Sequence, residues 1–250
     1  MDNPVSIITG AGTGIGRALA VKLANSHHNV IAVGRRAEPL AELATQHSHI
    51  QACPADVSTP AGLEAIETAV ADRSVRYVVH NAGVLEPVGP LLEQSADALR
   101  QSLAINVEAP LALSARLRPR MMSGGRILHI SSGAAHRALP GWGAYCLSKA
   151  ALHMAYQVIA AELADSHIAI GSLRPGVVDT PMQALIRAQS VEDFPAVESF
   201  RAMKAQGDLT DAQTVAVFIE AVLSLPDAQA FSAKEWDIRV DGEALLGYPP

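Results

Sequence analysis

The fold of this protein is most clearly indicated by residues 5–16, VSIITGAGTGIG. A run rich in β-branched residues (5–9) is followed by glycines at positions 10, 14 and 16, and a helical pattern begins near Gly14. Because glycine has no Cβ atom, the backbone can turn tightly after the strand and approach a pyrophosphate closely. The N–H groups and partial positive charge at the helix N-terminus favour the same anion. The stretch therefore predicts a strand, loop and helix that bind a dinucleotide.

The same alternation of strand and helix continues along the chain. Further strands are predicted at NVIAV (29–33), RYVVH (76–80), RILHI (126–130), AIGSL (169–173) and WDIRV (236–240). Further helices are predicted over about 38–47, 60–72, 97–122, 144–164 and 211–224. Continuously apolar strands are typical of a parallel sheet that is buried on both faces. The sequence therefore predicts an α/β fold, a Rossmann-type doubly wound parallel sheet flanked by helices, in a single domain over residues 1–250.

Residues 181–208 interrupt this alternation. They are helical in composition but broken at Phe194-Pro195, and they lie between a predicted strand end and the next helix. Open α/β sheets bind ligands beyond the carboxyl ends of their strands. We therefore expect this segment to cover a bound ligand; a purely structural excursion is the alternative.

Composition excludes several classes of function. With 49% hydrophobic residues the chain can fill a core, and its net charge of −6, without any block of Lys and Arg, argues against a nucleic-acid partner. No apolar run approaches the roughly 20 residues of a membrane span, and no secretory signal pattern is present. The two cysteines, Cys53 and Cys146, fit a reducing compartment, so a cytoplasmic protein is expected. None of the nine histidines forms a ligand cluster with Cys, Asp or Glu, and no metal site is predicted.

Tyr145 and Lys149 stand four residues apart in AYCLSKAAL (144–152), so a helix places them on one face. A phenol has a reference pKa of about 10 and is a poor base at neutral pH. A nearby ammonium group lowers that pKa, and the tyrosine could then exchange a proton with a carbonyl or alcohol oxygen. Taken alone, such a pair is more often a surface tyrosine beside a solvated lysine.

The ordered set of motifs resembles that of the short-chain dehydrogenase/reductase family over nearly the whole chain. The matching stretches are TGAGTGIG (9–16), Asp56-Val57, Asn81-Ala82-Gly83, HISSGAA (129–135), Tyr145 with Lys149, and RPGVVDT (174–180). The resemblance implies an NAD(P)-dependent oxidoreductase that acts on a small carbonyl or alcohol substrate.

The resemblance also implies a role for each matching residue. Asn106, Ser132, Tyr145 and Lys149 correspond to the catalytic tetrad of the family. Ser132 would hold the substrate oxygen, Lys149 would bind the nicotinamide ribose, and Asn106 would anchor a water that links Lys149 to solvent. The implied cofactor-binding residues are Gly10, Gly12, Thr13, Gly14, Ile15, Gly16, Arg35, Arg36, Asp56, Val57, Asn81, Ala82, Gly83, Tyr145, Lys149, Pro175, Gly176, Val178 and Thr180.

The end of the second predicted strand bears on the choice of cofactor. It reads Gly34-Arg35-Arg36, with no carboxylate before Glu38. A guanidinium group here can pair with a 2′-phosphate, whereas an acidic residue would take the ribose hydroxyls of NAD. NADP(H) is therefore predicted, with Arg35 as the better candidate. The alternative is that both arginines belong to a solvated turn. Position 13 is a threonine, whereas many NADP-preferring relatives have a basic residue or a serine there, so that signal for NADP is missing.

Three stretches resemble a narrower group, the benzil reductases with their sepiapterin-reductase-like kin: residues 81–90, 131–152 and 174–183. Small and apolar residues surround Ser132 and Tyr145, a pattern that favours ketones or α-diketones with aromatic or bulky apolar groups. Trp142 and Met182 are expected to contact the substrate together with Ser132, while His136 and Arg137 are expected to face solvent. The alternatives are a relative that acts on a 3-oxoacyl thioester or a sugar, and a nucleotide-binding protein without turnover.

The predicted helices over 97–122 and 144–164 carry Ala and Leu on more than one face. A helix that is apolar all round must be buried against something. In the resembling family these two helices pair across a two-fold axis. A homodimer, or a homotetramer built from it, is therefore expected.

Overall fold

The computed structural model describes residues 4–247, so residues 1–3 and 248–250 of the predicted domain lie outside the described part. The strands are β1 Val5–Thr9, β2 Asn29–Gly34, β3 Ile50–Pro54, β4 Val75–His80, β5 Met121–Ile130, β6 Ala169–Arg174 and β7 Glu235–Asp237. They form one sheet in the order β3-β2-β1-β4-β5-β6-β7, and every neighbouring pair is parallel. The order reverses between β1 and β4, which confirms the predicted doubly wound, Rossmann-type sheet.

Helices cover both faces of the sheet. Their bounds are α1 Gly14–Asn25, α2 Ala37–Gln46, α3 Pro60–Val70, α4 Ala96–Leu103, α5 Ala109–Leu117, α6 Gly143–Glu162, α7 Pro181–Arg187, α8 Val197–Gln206, α9 Ala212–Leu223, α10 Ala228–Ser232 and α11 Ile238–Leu246. One apolar core joins α1, α2 and α9 to the sheet, and a second joins α3, α5 and α6 to the opposite face. Within residues 4–247, no helix combines the length and the apolar character needed to cross a membrane.

The prediction of one continuous helix over 97–122 is wrong, because the structure interrupts this helix and ends it at Leu117. A five-residue π-helical turn, Ala104–Glu108, separates α4 from α5, and a short 3-10 helix, Arg118–Arg120, follows α5. Proline at position 119 removes a backbone donor and disfavours a continuing α-helix, so β5 already begins at Met121 instead of residue 126. The π turn matters for function because it contains Asn106.

The last predicted strand is also too long. β7 ends at Asp237, whose carboxylate accepts a 3.0 Å hydrogen bond from the backbone N–H of Arg239 and caps α11. Val240 therefore lies on a helix and is 74% exposed. The sequence patterns also did not locate β3, a short strand at the sheet edge in which only Ile50 and Cys53 are buried.

Residues 181–208 form α7 and α8, and the predicted break at Phe194-Pro195 is found between them. Phe194 is fully buried. It shares a core cluster with Trp142, Tyr145 and Phe200, separate from the two cores against the sheet. The segment is thus packed directly against the helix that carries Tyr145 and Lys149.

Candidate active site

The glycine loop leaves no room for side chains at two of its positions. A Cβ atom on Gly16 would lie 2.4 Å from the Gly10 oxygen, and one on Gly10 would lie 2.9 Å from the Cα atom of Ala82. Gly10 and Gly14 also have positive φ angles of 69° and 53°, which glycine adopts readily. The N-terminus of α1 has no side-chain cap at Thr13. The loop therefore keeps its backbone close to the sheet and its N–H groups available, as a pyrophosphate cradle requires.

The loop opens onto a cavity of about 820 Å³ at the carboxyl ends of the strands. All the predicted cofactor, catalytic and substrate residues line this cavity except Gly16 and Asn106. Gly16 lies behind the loop, where it allows close packing, and Asn106 acts from the π turn. The chain thus brings together residues that are up to 172 positions apart, from Gly10 to Met182.

Asn81 ties the ends of β1 and β4 together at the switch point of the sheet. Its Nδ2 donates to the Thr9 oxygen at 2.9 Å, and its backbone N–H donates to Thr9 Oγ1 at 3.1 Å. Thr9 Oγ1 also accepts from the backbone N–H of Ala82 at 3.0 Å. These bonds fix the end of β1 to the end of β4 at the edge of the cavity.

Tyr145 lies in the first turn of α6, and only 8% of its surface is exposed. Burial raises the pKa of the Tyr145 phenol to about 12, and a hydrogen bond with the Ser132 side chain acts in the opposite direction. The sequence predicts a lowered pKa, but the net shift in this structure is upward. Burial has this effect because the phenolate would lose its hydration. A phenol with a raised pKa is a proton donor at neutral pH.

Lys149 is buried beside the tyrosine and hydrogen-bonds the backbone of β5. Its Nζ donates a 2.8 Å hydrogen bond to the Ile130 oxygen at the end of β5 and lies 5.7 Å from the centroid of the Tyr145 ring. Burial lowers the pKa of Lys149 to about 8, while the Glu235 carboxylate acts to raise it. Most of the lysine is therefore still charged at pH 7, and its ammonium lies close enough to influence the phenol.

Asn106 is almost fully buried, and its side chain joins two neighbouring segments. Its Oδ1 accepts from the backbone N–H of Val84 at 2.9 Å, and its Nδ2 donates to the Val84 oxygen and to Ser148 Oγ at 2.8 and 2.9 Å. Ser148 is the residue before Lys149 on α6. Asn106 thus fixes the loop after β4 against the catalytic helix; its role in anchoring a water stays a prediction.

Arg35 and Arg36 are exposed side chains at the end of β2, and both line the cavity. A hydrogen bond from Ser58 lowers the pKa of Asp56, and the charge of Arg35 adds to that effect, so Arg35 lies near Asp56. β2 and β5 are three strand spacings apart. The arginines are therefore separated from Ser132 by about 14 Å across the sheet.

The opposite end of the cavity has an aromatic wall. Trp142 stacks on Phe194 with 4.6 Å between ring centroids, and it meets Tyr145 edge-on at 5.8 Å. Trp142 and Met182 both line the cavity, as predicted for substrate contacts. Because Trp142 also packs against Phe194, it both lines the cavity and holds the loop before α6 in place.

Two arginines of the lining were missed by the sequence patterns. Arg174, at the end of β6, and Arg239, on α11, both face the cavity and both pair with Asp237 at distances of 3.1 and 2.8 Å. The sequence predicts Arg239 in the last strand, which ends two residues before it at Asp237. Arg137, expected to face solvent, is exposed but also contributes to the lining.

The prediction that no histidine forms a ligand cluster with Cys, Asp or Glu is wrong, because the fold brings two histidines next to a glutamate. His136, His153 and Glu235 lie together, with one ligand atom of each within 4.8 Å of the others. They come from a loop, from α6 and from β7, so no local spacing in the sequence relates them. His136 is exposed, as expected, but one of its ring nitrogens also contacts Glu235.

Comparison with known proteins identifies the same family as the sequence motifs that line the cavity. A model of the short chain dehydrogenase family matches residues 4–191. A relative from Bacillus cereus named benzil reductase ((S)-benzoin forming) is 32% identical over 94% of this chain and 98% of its own. A relative of the same name from Bacillus subtilis is 34% identical over 93% and 97%. Both alignments cover nearly the full length of each protein.

The fold comparison agrees with the sequence comparison. The crystal structure of an enzyme named KRED1-Pglu superposes with a TM-score of 0.85 at 31% identity, covering 93% of this chain and 99% of that one. The superposition therefore covers nearly the whole of both chains.

Proposed function

Because this chain belongs to the short-chain dehydrogenase family and is thus an oxidoreductase, we propose that it is an NADPH-dependent reductase of ketones and α-diketones with aromatic or bulky apolar groups. The observation that carries this proposal is the contrast between the two ends of the cavity. Arg35 and Arg36 lie at one end, and the Ser132–Tyr145 pair lies beside an aromatic wall at the other. A dinucleotide along the glycine loop would connect these two ends.

The residues of the chain account for the proton transfer. The nicotinamide cofactor supplies the hydride when it is bound. The Ser132 hydroxyl and the Tyr145 phenol hold the substrate oxygen, and the phenol O–H bond breaks as its proton moves to that oxygen. The Lys149 ammonium stabilises the phenolate that remains. Reduction consumes one phenol proton, which is then replaced from solvent.

The aromatic wall supports an apolar substrate. Trp142, Phe200 and Leu139 line the cavity near Tyr145, and α7 adds Met182 and Leu185. Pockets of this kind bind apolar bodies and use a few polar groups for orientation. The names of the two Bacillus relatives point to a diketone, which is consistent with this wall.

The substrate proposal is tested by comparing catalytic efficiencies on a panel of carbonyl compounds with NADPH. We expect benzil and related aromatic diketones to be reduced with higher kcat/KM than sugars, short aliphatic ketones or 3-oxoacyl thioesters. A clear preference for small polar carbonyls would overturn the substrate class but leave the reductase assignment intact. No oxidation of NADPH with any carbonyl would overturn the enzyme proposal itself.

The cofactor proposal depends on Arg35. A charge-assisted hydrogen bond to a phosphate contributes about 1.5–3 kcal/mol, so Arg35→Ala should raise the KM for NADPH by roughly 10–100-fold and change that for NADH little. Arg100→Ala is the control, since Arg100 is an exposed arginine that pairs with Asp97 outside the cavity. Equal efficiencies of the wild type with NADH and NADPH would contradict the preference.

We further propose that α6 forms a dimer contact with a second copy of this chain. Leu147, Met154 and Val158 are 53%, 58% and 48% exposed, and their spacing places them on one stripe of α6. Light scattering should show a homodimer, or a tetramer built from it. The double variant Leu147→Lys/Met154→Lys should be a monomer, and a monomeric wild type would contradict the proposal.

A further inference from the structure

Three distant segments place metal-binding side chains next to one another outside the proposed reaction centre. His136 lies in the loop after Ser132, directly behind a 3-10 turn at Gly133–Ala135, His153 lies on α6 four residues beyond Lys149, and Glu235 begins β7. Nε2 of His136 lies 2.6 Å from one Glu235 oxygen, and Nδ1 of His153 lies 3.1 Å from the other. Both imidazole rings therefore direct a nitrogen at the same carboxylate.

The geometry is close to that of a three-ligand metal site. The ligand atoms of the three residues all lie within 4.8 Å of one another. An ion with bonds of about 2.0–2.2 Å in tetrahedral geometry separates its donor atoms by roughly 3.3 Å. The two rings already contact each other, with 4.6 Å between their centroids. Small side-chain shifts would therefore bring all three donors to bonding distance.

The donor set selects the class of ion. Two imidazoles and one carboxylate suit zinc and its neighbours in the first transition series, whereas magnesium and calcium favour oxygen ligands. Three protein ligands leave a fourth tetrahedral position, and His136 is exposed, so this position can be reached from solvent.

Other residues hold the carboxylate in place behind the cluster. Ser172 Oγ donates to a Glu235 oxygen at 2.8 Å, and Arg174 Nε lies 3.1 Å from the other oxygen. Hydrogen bonds of this kind orient ligating carboxylates in metal sites. The positive charge of Arg174 also opposes a cation, so the site should bind more weakly than a structural zinc site.

We propose that His136, His153 and Glu235 form a site for a divalent transition-metal ion, with zinc as the natural occupant. When occupied, the site ties the loop after Ser132 to the helix that carries Tyr145 and Lys149 and to β7. This inference does not depend on the proposed substrate or cofactor, because the three residues bind an ion without either.

The test is a calorimetric titration of the purified full-length chain with zinc chloride. We expect saturable binding of one ion per chain. Loss of an outer partner of a metal ligand already costs roughly 10–100-fold in affinity, so His136→Ala and His153→Ala should each weaken binding by more than that. His167→Ala is the matched control, since His167 is an exposed histidine just before β6 and should bind like the wild type.

A second measurement separates specific binding from misfolding of a variant. An ion that binds the folded chain raises its thermal midpoint, and zinc should do so for the wild type and His167→Ala but not for His136→Ala. Glu235→Gln keeps an amide that can hydrogen-bond Ser172 but loses the charge, and it should also lose the shift. The proposal is overturned if the wild type shows no saturable binding, or if both histidine variants bind zinc as tightly as the wild type does.

Discussion

Replacement of Tyr145 by phenylalanine removes one oxygen atom from a buried site. The variant therefore tests the role of the hydroxyl in catalysis separately from the packing of the ring. The phenyl ring of the variant would keep the edge-on contact with Trp142 and the position near Lys149. The pKa of Tyr145 is about 12, so only about one phenol in 10⁵ is ionised at pH 7, and the group acts as a proton donor. A positioned general acid contributes about 10²–10⁴-fold, so kcat for carbonyl reduction should fall by that factor.

The same substitution should change stability far less. The lost hydroxyl makes a hydrogen bond with Ser132, and a typical intramolecular hydrogen bond contributes about 0.5–1.5 kcal/mol net. For a chain of this size that is a shift in Tm of at most about 5 °C. The barrier for reduction, in contrast, should rise by about 2.7–5.5 kcal/mol.

Tyr156→Phe is the matched control. Tyr156 is on the same helix and similarly buried, and its hydroxyl donates a 2.7 Å hydrogen bond to the Ser232 oxygen, but it does not line the cavity. Its replacement should cost comparable stability and leave turnover unchanged. The assay combines steady-state kinetics with NADPH and a diketone, cofactor binding by fluorescence, and thermal melting. Near wild-type turnover in Tyr145→Phe, or an equal loss in Tyr156→Phe, would refute the assignment of Tyr145 as the proton donor.

Three further outcomes follow from the structure. Gly16→Ala should lower Tm and abolish dinucleotide binding, because its Cβ would meet the Gly10 oxygen at 2.4 Å; Gly12→Ala, with 3.9 Å to Pro39, should keep the wild-type Tm. The lowered pKa of Lys149 means that the unfolded chain binds more protons between about pH 8 and 10.5, so the unfolding free energy should rise with pH in that window. Denaturant melts at pH 7 and 9.5 should show a gain of roughly 2 kcal/mol for the wild type relative to Lys149→Met, and an equal pH dependence in both would contradict the shift. Trp142→Leu should lower kcat/KM for aromatic diketones more than for small ketones, because it removes the ring that lines the cavity beside Tyr145; an equal loss on both would assign Trp142 a purely structural role.

The sequence by itself determined the features that depend on residues close together in the chain. The glycines after the first strand, the apolar runs of the central strands, and the spacing of Tyr145 and Lys149 on one helix are all local patterns. Backbone sterics and the periods of strand and helix translate such patterns directly into structure. The doubly wound sheet and most of the cavity lining could therefore be predicted.

Only the tertiary structure decided the features that depend on burial and on contacts between segments far apart in the chain. Burial, which no spacing encodes, raises the pKa of Tyr145 although a lysine lies nearby. The π turn at Asn106 and the capping of α11 by Asp237 result from packing and hydrogen bonds that override helix and strand patterns. Glu235 meets His136 and His153 across about 80–100 positions of the chain, because β7 joins the sheet beside β6 and α6 packs over that edge. Contacts of this kind arise only when the sheet brings distant segments side by side, and local sequence patterns carry no information about them.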